Sequence, residues 1–266
     1  MHRLQEPRKT ILIARAALDE LRQASSDFFS EKLVPPNVVP TRPYSVVEYP
    51  EIATGDFVYK FRITQPYPFK MERLAAEAIQ SGKNAFDQAI YSATKALGKL
   101  PKRGNLHMPW SRDPSDMRGR VEKKNIIPEV LRDSIYSQEP YYTGKGYIGG
   151  NDTIRRIAQL ANAKHTVGFA INTTAVILQR PSISGTGVYR VSTQVPKVWN
   201  TAKNEVFIAR TPAKATIHDD YVVDFQVALD EPAPLCDIPA FEALSRFLDK
   251  AEELTLDLEK VLNEHI

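Results

Sequence analysis

An α+β fold is predicted by three features of the 266-residue sequence. Two long stretches, 70–97 and 239–262, carry apolar residues every three or four positions, the period of a helix with one buried face. Short runs rich in Val, Ile, Thr, Tyr and Phe gather between 166 and 229. Strands and helices come in runs without strand–helix–strand alternation, which argues against a parallel doubly wound sheet. The expectation is a single α+β domain over 1–266, mostly helical over 1–165 and β-rich with a terminal helix over 166–266.

In chain order, Ile11, Ala14, Leu18, Leu21, Ser25 and Phe28 recur at helical spacing, with Arg15, Asp19 and Arg22 turned the other way, so a first amphipathic helix covers about 11–31. Four prolines between Leu33 and Pro43 end it, because proline donates no hydrogen bond to the ladder. Residues 44–49 and 57–63 flank Ala53-Thr54-Gly55-Asp56, a turn composition, and read as a β-hairpin. The 70–97 helix places Leu74, Ala78, Gly82, Phe86, Ile90 and Ala93 on one side. Gly82 costs a helix about 1 kcal/mol relative to Ala, so close approach of another backbone explains it better than propensity.

A connector over 101–125 is too rich in Pro, Gly and charge for a regular element. Short helices are expected around Pro128, over 126–135, and over 152–165, the latter capped by Asn151 or Asp152. Strands at 166–178, 187–195, 204–210 and 221–229 then form a C-terminal antiparallel sheet, and the 239–262 helix closes the chain.

Composition excludes several classes. At 42% hydrophobic and 25% charged the chain falls outside the disordered and collagenous ranges. One cysteine, Cys236, cannot make an intrachain disulfide or a thiolate zinc site, which suits a cytoplasmic setting. Charge is spread through the first 30 residues and no 18-residue apolar run occurs, so neither an export signal nor a membrane span is expected. The net charge of +3 implies no particular partner, yet locally it is uneven. Residues 95–124 hold nine Lys and Arg against three acids, net +6, whereas 237–266 hold eight acids against three bases, net −5. Such segments either attract each other, meet different partners, or are simply solvated.

Thr143 to Gly150 is glycine-rich before a helix and could favour an anion, but it lacks the Walker A spacing; a turn admitting the chain into the helix is the simpler reading. His218-Asp219-Asp220 has no second histidine at metal-ligand spacing. No cofactor and no metal are expected. The polar side of the 70–97 helix carries Glu77, Gln80, Lys83, Asn84, Asp87 and Gln88.

At these residues the sequence resembles an uncharacterised bacterial family with a helix written G-D-x-x-H-N-L-R-S-A-L-D-H and a later P-Y segment followed by a helix ending N-x-D-K-H. Ala76 to Gln88 occupies the first motif; Pro140-Tyr141 and Asn162-Ala163-Lys164-His165 occupy the second. Both first-motif histidines are Gln here (Gln80, Gln88), its arginine is Lys83, and the aspartate of the second is Ala163. The family's Arg-to-His spacing is similar to that of HEPN ribonucleases, which cleave RNA with an Arg and a His. The resemblance would map that pair onto Lys83 and Gln88. Glutamine cannot shuttle a proton near neutral pH, so the resemblance implies a relative without that activity.

Three functions are weighed. The first, favoured here, is a non-enzymatic binding or interaction protein, with a second copy of the chain as a candidate partner. Glu77, Gln80, Lys83, Asp87, Gln88, Lys164 and His165 would then form a polar cluster that fixes helix packing. The second is a hydrolase joining that helix face to Lys164 and His165, with His165 as general acid or base. The third is nucleic-acid binding through 95–124, by Arg103, Arg112, Arg118 and Arg120 with His107 and Trp110 between them, since rings among cations suit single-stranded bases.

Overall fold

A computed structural model describes residues 4–30, 42–99, 106–123, 126–163, 170–179, 182–192, 200, 203–218, 222–230 and 239–266. The α+β class is present: long helices accompany antiparallel strand pairs. The chain divides into two compact units built from discontinuous segments, Met1–Gln23, Lys70–Ala170 and Leu229–Ile266 in the first, Ala24–Phe69 and Ile171–Ala228 in the second.

The first unit is helical. It contains most of α1 (Gln5–Phe29), then α2 (Phe69–Ala96), α3 (Pro114–Glu122), one 3-10 turn (Glu129–Leu131), α4 (Arg132–Tyr136), α5 (Asp152–Ala163) and α6 (Ala240–His265). The apolar stripe of α2 is buried as its period requires: Leu74, Ala78, Ala85, Phe86, Ile90 and Ala93 are inaccessible or nearly so. Gly82 faces α6 so closely that a Cβ there would lie 2.8 Å from both Leu248 Cδ2 and Phe247 Cε1. A missing side chain at this point is what lets two helices meet.

The acidic face of α6 pairs with α1. Arg15 reaches Asp249 at 2.8 Å and Glu252 at 2.6 Å, Arg8 pairs with Glu259, and Arg22 donates to Ser245 Oγ at 2.7 Å.

The described part of the connector, 106–123, contains a regular element that its composition did not suggest. Asp113 accepts a hydrogen bond from the Asp116 amide at 2.8 Å and Pro114 follows it, so α3 begins as a capped helix. At α5 the cap is Asn151, whose Oδ1 accepts from the Ile154 amide at 3.1 Å.

In the second unit β1 (Tyr44–Pro50) and β2 (Phe57–Ile63) form the expected antiparallel hairpin, with Tyr44 opposite Ile63 and Pro50 opposite Phe57. Gly55 takes a positive φ of 75° in the turn. The partner of β2 on its other side is β5 (Glu205–Thr211), giving the order β1-β2-β5. The expected C-terminal sheet is therefore split. Besides donating β5 to the hairpin, this part of the chain pairs β3 (Ala170–Gln179) with β7 (Val222–Asp230), and β4 (Ile183–Ser184) with β6 (Thr216–Ile217). Of the strand expected at 187–195, the described residues 187–192 form one bridge, Ser192 opposite Arg210; 193–195 lie outside the described residues. Tyr59, Phe61, Val206, Ile208 and Ala209 make the unit's apolar core.

The opposite side of that sheet carries charge. Glu205 is 3% exposed and is held by Lys60 Nζ at 2.6 Å and Arg62 at 2.6 Å, while both cations lie over the Tyr49 ring. Burial works against ionisation, but the hydrogen bonds from Lys60 and Arg62 prevail and hold the Glu205 carboxyl below the usual range.

Candidate functional site

The polar side of α2 and the connector meet at Asp87. Its carboxylate accepts from the Met108 amide at 2.8 Å, lies 3.4 Å from Lys83 Nζ one turn earlier, and stands 3.3 Å from His107 Nδ1. Asp87 is mostly buried and Lys83 nearly as much, whereas the His107 side chain is 57% exposed. The backbone bond ties the connector at Met108 back onto α2, and the imidazole contact brings the His107 ring to the same anchor. An imidazole held at one nitrogen by a carboxylate presents its other edge in a defined direction.

Two cavities share Leu106 and His107. One, about 340 Å³, has Arg120 and Lys123 over Met108, Ile126 and Ile127. The other, about 420 Å³, has Asn84, Gln88, Tyr91 and Lys95 with Asp87. Among the described residues Asp87 is the single carboxylate in either lining, and its oxygens already face Lys83, His107 and an amide. The groove is therefore cationic.

Of the expected polar cluster, Lys83 and Asp87 touch; Gln88 accepts from Thr10 of α1 at 2.7 Å, Gln80 donates to Asn84 at 3.0 Å, and Glu77 pairs with Arg73 at 3.0 Å on the exposed flank. Lys164 and His165 lie outside the described residues, as do Arg103 and Cys236.

The nucleic-acid set is divided. Trp110 is 9% exposed, its ring centroid 5.2 Å from that of Phe86 and 6.3 Å from that of Phe247, so it is a core residue and offers no platform for a base. This corrects the expectation, and apolar packing is the reason. His107 belongs to the α2 site. Arg118 is exposed on α3, and Arg112 and Arg120 both flank Asp116, with Arg120 Nε at 3.0 Å. The Arg120 hydrogen bond, with help from Arg112, holds the Asp116 carboxyl below the usual range.

In the glycine-rich loop, the Thr143 amide donates to Asp152 at 2.7 Å and the Gly150 amide to Glu139 at 2.9 Å. Carboxylates occupy those amides, and the loop serves as the entrance to α5. His218 Nε2 sits 2.7 Å from Ser184 Oγ on the β4–β6 pair, a contact no sequence spacing announced. Among the described residues no group of three or more His, Cys, Asp or Glu is placed to hold a metal ion, and no helix is long and apolar enough to cross a membrane.

What the fold and site define is an α+β protein with a cationic groove centred on a carboxylate-held histidine. Comparison with family models, characterised proteins and solved structures finds no match.

Proposed function

We propose that the chain is a binding protein whose ligand is an anion seated in the groove at His107. The observation that carries this reading is the pair of cavities joined at one histidine, with Arg120, Lys123 and Lys95 on their walls and the Asp87 charge compensated from within. Each cavity falls in the size range of small-molecule sites. A degenerate relationship to HEPN ribonucleases fits the same picture. Gln88, which would stand at the His position, joins α2 to α1 through Thr10, and Lys83, which would stand at the Arg position, pairs with Asp87 one turn on within α2. The setting proposed is the bacterial cytoplasm.

Nucleic acid remains a second reading, carried by the exposed arginines of α3, and it would depend on phosphate contacts rather than on stacking at Trp110. The test is calorimetric titration of the native chain and of Arg120→Glu/Lys123→Glu with inorganic pyrophosphate. Saturable binding by the native chain and at least a tenfold loss in the variant are expected. No binding by the native chain, or equal binding by both, overturns the reading.

A further inference from the structure

Resting on that reading, we infer that the groove takes a phosphomonoester whose remaining body is rich in hydrogen-bond acceptors, a nucleoside or a sugar. The two cavities differ in chemistry. In the smaller one, Arg120 and Lys123 stand over an apolar floor of Met108, Pro109, Ile126 and Ile127. Charge attraction is stronger where water is displaced by such a floor, so a compact dianion is the occupant it fits. Arg120 spends its Nε on Asp116 and keeps its terminal nitrogens for a ligand.

The larger cavity presents donors. Asn84 Oδ1 already accepts from Gln80 at 3.0 Å and Gln88 Oε1 from Thr10 at 2.7 Å, which leaves the two side-chain NH₂ groups to donate. Lys95 adds ammonium hydrogens, the Tyr91 hydroxyl can donate or accept, and the Asp87 carboxylate oxygens are taken by Lys83, His107 and the Met108 amide. A wall that has donors left over and its carboxylate consumed selects oxygen- or ring-nitrogen-rich partners. A purely apolar body would leave those donors unsatisfied. His107, shared by both cavities, stands where the phosphate would join the body.

Calorimetric titration of the full chain with four probes tests this: inorganic phosphate, ribose 5-phosphate, adenosine monophosphate and a single-stranded RNA of about twelve nucleotides. At least one of the two body-bearing phosphomonoesters should bind about tenfold or more tightly than inorganic phosphate. Ribose 5-phosphate matching the nucleotide would mark the body as a sugar, and the nucleotide alone would mark it as a nucleoside. Asn84→Leu, at an exposed position that leaves the core intact, should lower affinity for the preferred phosphomonoester several-fold and leave inorganic phosphate unchanged. Inorganic phosphate binding as tightly as both esters overturns the inference while the anion reading stands. Binding of the RNA alone overturns it in favour of a nucleic-acid surface. Failure of every probe, with pyrophosphate also silent, removes the anion reading itself.

Discussion

The helical unit and the strand unit solve the same problem, a polar residue near the core, in opposite ways. In the helical unit the α2–α6 contact at Gly82 is apolar, and Asp87, the carboxylate set back from the surface, stays partly exposed beside Lys83. Arg15 meets Asp249 and Glu252 at the surface, and where α2 approaches α6 at Gly82 the neighbours are the Leu248 and Phe247 side chains. In the strand unit a carboxylate is taken inside and matched there, Glu205 by Lys60 and Arg62. The helical unit is therefore expected to respond most to changes of volume, and the strand unit to changes of charge and pH.

Volume changes should have the largest effect. Phe86, inaccessible and packed on Trp110 and Phe247, should lose about 3–5 kcal/mol on Phe86→Ala, read as a lowered urea midpoint of Trp110 fluorescence. Gly82→Val should cost about 2 kcal/mol, since overpacking against Phe247 and Leu248 exceeds the gain in helix propensity; a melt unchanged from wild type would break the claim that α2 and α6 meet there.

For the strand unit, Glu205→Gln should cost about 2 kcal/mol near neutral pH by weakening charge-assisted bonds, measured by amide hydrogen exchange along β2 and β5. Its pH dependence has a definite sign. A carboxyl held below its unfolded pKa contributes stability that is complete above the unfolded value, about 4.3, and is lost as pH falls through the folded one. The Gln variant should lack that acid-side loss. Smallest of all, Arg15→Ala should shift the helical unit by less than about 1 kcal/mol, because its partners are well exposed and solvent screens such pairs; moderate salt should shrink the difference further.

What the sequence disclosed follows the same division. Helix α2 is legible because its burial is periodic over 28 residues, and the hairpin because its turn is local. The cap of α5 is legible in the sequence only as Asn151 or Asp152, and the hydrogen bond from the Ile154 amide decides for Asn151. Helix α3 was missed under the weight of its Pro, Gly and charges, although Asp113-Pro114 is a helix-start signal. The alliance of β5 with the hairpin was not readable, since strand periodicity says which face is buried and nothing about which strand lies alongside.

At the site, the Lys83–Asp87 spacing is helical and therefore visible. His107 lies twenty residues beyond Asp87 on an irregular segment, and no spacing rule connects them. Trp110 illustrates the converse. An aromatic ring between cations looks like a surface feature, and only the convergence of Phe86 and Phe247 from distant positions buries it.

The two units also supply a paired probe, because each holds a histidine beside a side-chain oxygen: His107 beside Asp87, and His218 beside Ser184. Nuclear magnetic resonance of the two imidazole rings during titration with inorganic pyrophosphate reads both at once. The His107 ring signals should move along a saturable curve that Arg120→Glu/Lys123→Glu abolishes, while those of His218 stay in place. Rings that move together without saturating, or a His107 ring that does not move at all, would contradict the reading of the groove as an anion site.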